Sequence, residues 1–391
     1  MLPVLSRRTV LGAAAAMSLS ARASAQATKP KSPLALTVVD VAGNLALTQK
    51  AFENYRQAKP DMVSRFTFTK APAPELPAKL RAQQAANRVD IDLVLTGTDA
   101  LAAGIEQKIW EDLLPARAAS LPDLKSILLE PALRMQGLSQ GQGVIISYYP
   151  SGPLLEYMPD QVSTPPTTAE ELLAFTKSKP NRFMYARPAN SGPGRTFMMG
   201  LPYILGDKDP KDPINGWDKT WAYLRELDNG IEYYPTGTAA TMKELGEGSR
   251  DMIVSTTGWD INPRVLGIVP KEAKVGTLKG FHWVVDAHFA AIPKGLDPEH
   301  QAVLLDLISF LLTPAQQAYT YDEGYFYPGP AVKDVTLAMA PAPSQAAIKE
   351  FGRPEYEQLI ASAPTEMPLE ADKMVQAFRR WDEQIGAKKT K

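Results

Sequence analysis

The chain of 391 residues contains no cysteine and only three histidines. Without thiols there is no cysteine nucleophile, no disulfide framework, no iron–sulfur cluster and no Cys-ligated zinc. His282 and His288 stand six apart, a spacing that does not make a metal site. Neither sign of charge is in excess: 42 basic against 43 acidic side chains leave a net charge of −1. Such a balance argues against a nucleic-acid binder, which must neutralise phosphates. No Walker A loop and no G-x-G-x-x-G after a strand is present. Internal repeats, heptads and low-complexity blocks are also missing. Proline, by contrast, is abundant at 34 residues, which calls for many ordered connections.

The first 25 residues carry Ser6-Arg7-Arg8-Thr9, an apolar alanine-rich stretch to Ser20, and Ala23-Ser24-Ala25. A charged start, a short apolar run and an A-x-A site make a secretory signal. The paired arginines resemble a twin-arginine (Tat) signal. The apolar run is well short of the ~20 residues that span a bilayer. Cleavage after Ala25 removes three arginines and no acid, so the net charge falls from −1 to −4.

Beyond residue 33 the pattern alternates. Apolar strand runs at 34–41, 63–68 and 91–95 are separated by helical stretches, the signature of a parallel sheet with crossover helices. Thr96-Gly97-Thr98-Asp99 has the chemistry of a helix start. A second alternating run follows the strand 143–149. It has helices from 169, 193, 217 and 238, with short strands at 183–186, 232–234 and 251–255. Strand character returns at 275–277 and 281–292. Leu304, Leu307, Ile308 and Leu311 are spaced as one helix face. The segment beyond Pro330 is proline-rich and becomes helical at 371–384.

Several landmarks occur in a specific order. They are the strand Asp92-Leu93-Val94-Leu95 with its Thr-Gly turn, Tyr148-Tyr149-Pro150, and the helix at Glu170-Glu171-Leu172-Leu173. They continue with Lys243 to Met252, Asp286 to Pro293, and Leu312-Thr313-Pro314. This layout resembles the periplasmic solute-binding proteins of ABC importers, the type II extracellular group of polyamine, thiamine and ferric-ion binders. The resemblance implies an α/β, two-lobed fold with hinge crossovers near 147–149 and 285–289 and a C-terminal helical segment. Lobe one would comprise 26–147 plus 287–391, and lobe two 148–286. It also implies no cofactor, a small-molecule ligand, an ABC permease of the inner membrane as partner, no nucleic acid, and a monomer in the periplasm.

In such a fold the cleft is walled by the loops after strands, close to helix N-termini. Here those loops bring Asp40, Asn44, Thr98 and Asp99 from lobe one, and Ser191, Arg195, Thr257, Trp259 and Asp260 from lobe two. The crossovers add Tyr149, Asp286 and His288, and a late loop adds Tyr327. Asp99 also reads as a helix cap, and Asp40 as a strand end. Arg195 lies in the first turn of a helix, where the dipole disfavours a cation, so it calls for a ligand or an ion pair. Trp259-Asp260 joins an aromatic face to a carboxylate, a pairing that suits a cation or a sugar ring. The acids and aromatics favour a cationic or amine-bearing solute. Arg195 and the helix N-termini suit a carboxylate or phosphate, and a zwitterion uses both. The adjacent tyrosines of ferric binders have no counterpart at Thr256-Thr257-Gly258-Trp259.

Gly137-Leu138-Ser139-Gln140-Gly141 matches the G-x-S-x-G of α/β-hydrolases. Its context is inverted, with a helical stretch before the serine and a strand after it. A secreted hydrolase and a ligand-sensing subunit for a membrane receptor remain the alternatives. The export reading has a direct check. N-terminal sequencing of the exported protein should begin at Gln26, and replacing Arg7 and Arg8 together by lysine should leave the precursor unprocessed. Normal processing of that variant would remove the twin-arginine route.

Overall fold

The structure, a computed structural model, describes residues 29–386 and Lys389. The signal segment 1–25 lies outside the described residues.

The first sheet begins with β1 (Leu34–Asp40), β2 (Val63–Lys70) and β3 (Leu93–Thr96). β1 pairs in parallel with β2 on one side and β3 on the other. The helices Leu45–Ala58 and Leu76–Ala85 make the crossovers that parallel pairing requires. β4 (Val144–Gly152) is buried at every position, and the chain then passes Pro153 into β5 (Leu154–Tyr157). β5 belongs to a second sheet with β6 (Phe183–Met184), β7 (Met252–Ser255) and β8 (Lys274–Gly276), in the order β6-β7-β5-β8. β9 (Trp283–Ala291) returns to the first sheet, and β10 (Thr365–Glu366) joins it late. The two sheets and their helices form a two-lobed α/β fold.

The long strands β4 and β9 carry the chain between the lobes as an antiparallel pair. Their register sets Ser147 opposite His288 and Tyr149 opposite Asp286. β4 lines one edge of β9, while β3 and β10 share the other. Nine consecutive buried residues in each strand leave no solvent face, as expected of strands enclosed between layers. The segment 325–329 also lies against this pair, where Tyr148 and Gly329 form an isolated bridge.

The segment 287–391 does not stay with the first sheet. The helices Ala342–Phe351 and Glu355–Ser362 were hidden in the proline-rich stretch. Phe351, Tyr356 and Leu359 from this segment pack with Leu154, Ile261, Phe281 and Trp283, on the second lobe. The stretch 232–234 is irregular rather than a strand. Tyr234 packs its ring on Tyr185 and Trp381 and donates its hydroxyl to Asp228 at 2.7 Å.

Inside the second lobe, Glu156 on β5 is fully buried, with Ser255 beside it. Burial, with the nearby charge of Asp260, pushes its pKa up to about 8. The folded protein therefore holds a proton on Glu156 that the unfolded chain releases near 4.5. The neutral acid's contribution is fully present below 4.5, and stability falls as pH rises from there through about 8. Glu156→Gln should raise the melting temperature relative to the parent at about pH 9 and leave it little changed at pH 4. An equal effect at both values would show that Glu156 does not titrate in this window.

Candidate functional site

Where β1 ends, Asp40 accepts hydrogen bonds from the backbone N–H of Asn44 and Leu45, both at 3.0 Å. It thereby caps the Leu45–Ala58 helix. Burial raises its pKa and these N–H donors oppose the rise. The Asn44 amide reaches the hinge strands, donating to Ser147 Oγ at 3.3 Å and to His288 Nδ1 at 3.0 Å, while its carbonyl accepts from Thr48 at 2.9 Å. Burial lowers the His288 pKa to about 4, against the pull of Asp286, so the ring is neutral at pH 7. With Nδ1 accepting from Asn44, its proton sits on Nε2.

The centre of the site is Arg195. It enters from the Gly192–Leu205 helix of the second lobe and is buried. One amine of its guanidinium donates to Asp99 Oδ2 at 2.8 Å, and the other to Asp286 Oδ2 at 2.5 Å. Asp99 begins a first-lobe helix, Thr98–Glu106, and Asp286 stands on β9, so one cation ties both lobes to the hinge. Asp286 also accepts from Tyr149 Oη at 3.0 Å, from Thr98 Oγ1 at 3.2 Å and from the Ala287 N–H at 2.9 Å. Two carboxylates around one guanidinium leave one negative charge in excess, beside a neutral histidine.

An aromatic wall adjoins this cluster. Tyr149, Phe326 and Leu47 form a buried group, against which Trp259 and Tyr325 pack. Phe326 stands edge-on to His288, with ring centres 4.1 Å apart, and its N–H donates to Gly258 O at 3.0 Å. Gly43 has φ +80°, and a Cβ there would lie 2.5 Å from Tyr325 Oη. Only glycine serves at that turn. At Gly258 a Cβ would meet Phe326 and Tyr149 at 2.9 and 3.0 Å, so the start of the Thr257–Val265 helix lies one tyrosine ring from Asp286.

The remaining candidates divide. Ser191 caps the Gly192–Leu205 helix through Gly194 N–H at 3.1 Å and meets Thr238 Oγ1 at 2.7 Å. Thr257 opens its helix with a buried hydroxyl that has no partner among the described residues, and the hydroxyls of Thr256, Ser151 and Ser255 have none there either. Asp260 lies inside that helix, not in a loop, and faces away from the cluster. Arg264 and Arg353 each bind it through two nitrogens, and Tyr356 Oη donates to it at 2.6 Å. Tyr327 joins the packing of Leu154, Ile261 and Trp283 rather than the aromatic wall. Ser147 also joins the cluster, through the Asn44 amide. Nothing local marks Ser147, because the same strand carries a second serine, Ser151.

Among the described residues, no nucleophile–base pair forms in this site. Ser139 follows the helix Glu130–Leu138, donates to Gln136 O at 2.8 Å, and heads no elbow. Two lobes closing polar side chains around a hinge define a ligand-binding protein. The bacterial extracellular solute-binding protein family matches residues 50–350, and the chain belongs to that family. The fold is similar to that of a periplasmic thiamin binding protein, at 16% identity over 90% of this chain and 97% of that one, with a TM-score of 0.64. It is also similar to a periplasmic binding protein from Actinobacillus pleuropneumoniae solved with fructose-6-phosphate, at 13% identity over 91% and 99% and a TM-score of 0.63. A ferric binding protein from Campylobacter jejuni is 13% identical over 90% and 98%, with a TM-score of 0.62. No curated relative matches in sequence. The family and these neighbours are binding proteins rather than enzymes; solute-binding proteins of ABC importers take up small molecules and deliver them to a permease.

The Arg195 cluster makes a sharp prediction. Arg195→Met leaves the buried carboxylate of Asp286 and the partly buried one of Asp99 uncompensated and should cost about 3–5 kcal/mol. Adding Asp286→Asn should recover part of that loss, because it removes the stranded charge. Urea melts of the parent, both single variants and the double variant measure this coupling. Simple additivity of the two losses would exclude a shared ion pair.

Proposed function

We propose that the mature chain is the periplasmic substrate-binding component of an ABC importer, exported and working as a monomer. Its hinge lies near 147–149 and 285–289. Between its lobes it captures a small solute carrying both an amine and an acidic group. The observation behind this reading is the charge left over around Arg195. Asp99 and Asp286 together hold one more negative charge than the guanidinium neutralises, which favours an amine. The unpartnered hydroxyls of Thr256 and Thr257 lie at a helix N-terminus, where backbone N–H groups and the dipole favour an anionic group. Tyr149 separates the two ends by about one ring. Trp259, Tyr325 and Phe326 would cover the apolar part of the solute. Asp260 is spent on arginines and has no part in this reading. The similar proteins are named for thiamin or ferric ion or were solved with fructose-6-phosphate, so they support capture of a solute without choosing its chemistry.

A thermal-shift screen tests this with amino acids, opines, thiamine, diamines, polyols and phosphonates. A zwitterion at about 100 times its dissociation constant should add about 2.7 kcal/mol of stability. Asp99→Asn should weaken that response, and Thr257→Val should weaken it independently. A shift with diamines alone would overturn the zwitterion and keep the importer. No shift with any of them would sink the capture of such a solute.

A further inference from the structure

The C-terminal helix Ala371–Gln384 touches both lobes. Its first half lies on the first lobe, where Ala371 and Met374, with Leu369 just before them, share a crevice with Leu101 and Ala102 of the Thr98–Glu106 helix. Met374 and Ala377 are buried. Its second half is fixed to the second lobe. Trp381 is 1% exposed, donates its indole N–H to Tyr185 Oη at 3.1 Å, and packs on Tyr234 with ring centres 5.0 Å apart. Arg187 pairs with Asp382 at 3.0 Å and donates to Gly386 O at 2.8 Å, and Arg225 donates to Gln384 at 2.8 Å.

The two attachments differ in kind. Hydrogen bonds, ion pairs and an aromatic pocket hold the second half. Among the described residues, no hydrogen bond or ion pair joins the first half to the Thr98–Glu106 helix, and the contact is apolar. That same helix begins with Thr98 and Asp99, which meet Asp286 and Arg195 across the cleft. Any hinge motion that separates Asp99 from Arg195 also moves Leu101 and Ala102 relative to the second lobe. A helix anchored to one lobe cannot follow both.

We propose that the helix Ala371–Gln384 is a strap that sets the balance between open and closed lobes. It stays with the second lobe, and its Met374 face grips the first lobe when the cleft is shut. Loosening that face favours the open state and weakens solute affinity by the lost closed fraction, with no change in any side chain of the site.

The native chain lacks cysteine, so nitroxide labels go only where they are placed. Gln57→Cys on the first lobe and Lys243→Cys on the second are both exposed. Double electron–electron resonance on this labelled chain, with no solute added, reads the distance between lobes. Met374→Lys should raise the ratio of long to short distances roughly tenfold, and Met374→Ala should shift it the same way by less. If the lysine variant does not melt cooperatively, the alanine variant decides alone. Distance distributions unchanged from the parent in every folded variant would overturn the strap. Because no solute enters the measurement, the outcome is independent of the ligand reading.

Discussion

The structure turns on one guanidinium held between two carboxylates. Arg195 occupies the first turn of a helix, where the dipole opposes a positive charge. Burial opposes it further. Asp99 from the first lobe and Asp286 from the hinge offset both costs only if they lie within hydrogen-bond reach. The cation can therefore be accommodated only where the two lobes and the β4–β9 pair meet. Everything that lines the cleft is placed by that meeting.

The surroundings keep the centre polar yet dry. Asn44 satisfies Ser147 and His288 at once and so joins the first helix to both hinge strands. His288 stays neutral because it is buried, which avoids a second cation beside Arg195. Phe326 and Tyr149 shield these groups from water on one side. Low local dielectric strengthens each of the hydrogen bonds, and makes an unmet one costly. The unmet hydroxyls of Thr256 and Thr257 stand out for that reason. They share that state with Ser151 and Ser255, but stand at a helix start.

The sequence made some of this legible. A cation in a first helical turn pointed to Arg195, and the resemblance placed crossovers at Tyr149 and Asp286, where the register sets them opposite each other. Asp260 was misleading. Its neighbours in sequence suggested a cleft residue, but Arg353, 93 residues further on, takes its carboxylate. The ring of Tyr327 belongs to a core built from distant segments, which no local pattern announces. Prolines concealed the helices Ala342–Phe351 and Glu355–Ser362, because a proline just inside or before a helix start reads as a break as readily as a beginning.

The sequence by itself determined the class of the protein. Zero cysteine and balanced charge removed whole chemistries, and alternating strand and helix periods specified two successive α/β units. Those signals are local, since a period of two or of 3.6 residues is written in neighbours. Only the tertiary structure decided which acids are already spent. Asp40 caps a helix, Asp260 is shared by two arginines, and Asp99 and Asp286 share one. A carboxylate's role depends on what lies within about 3 Å of it, and for a residue with partners dozens of positions away that distance exists only after folding.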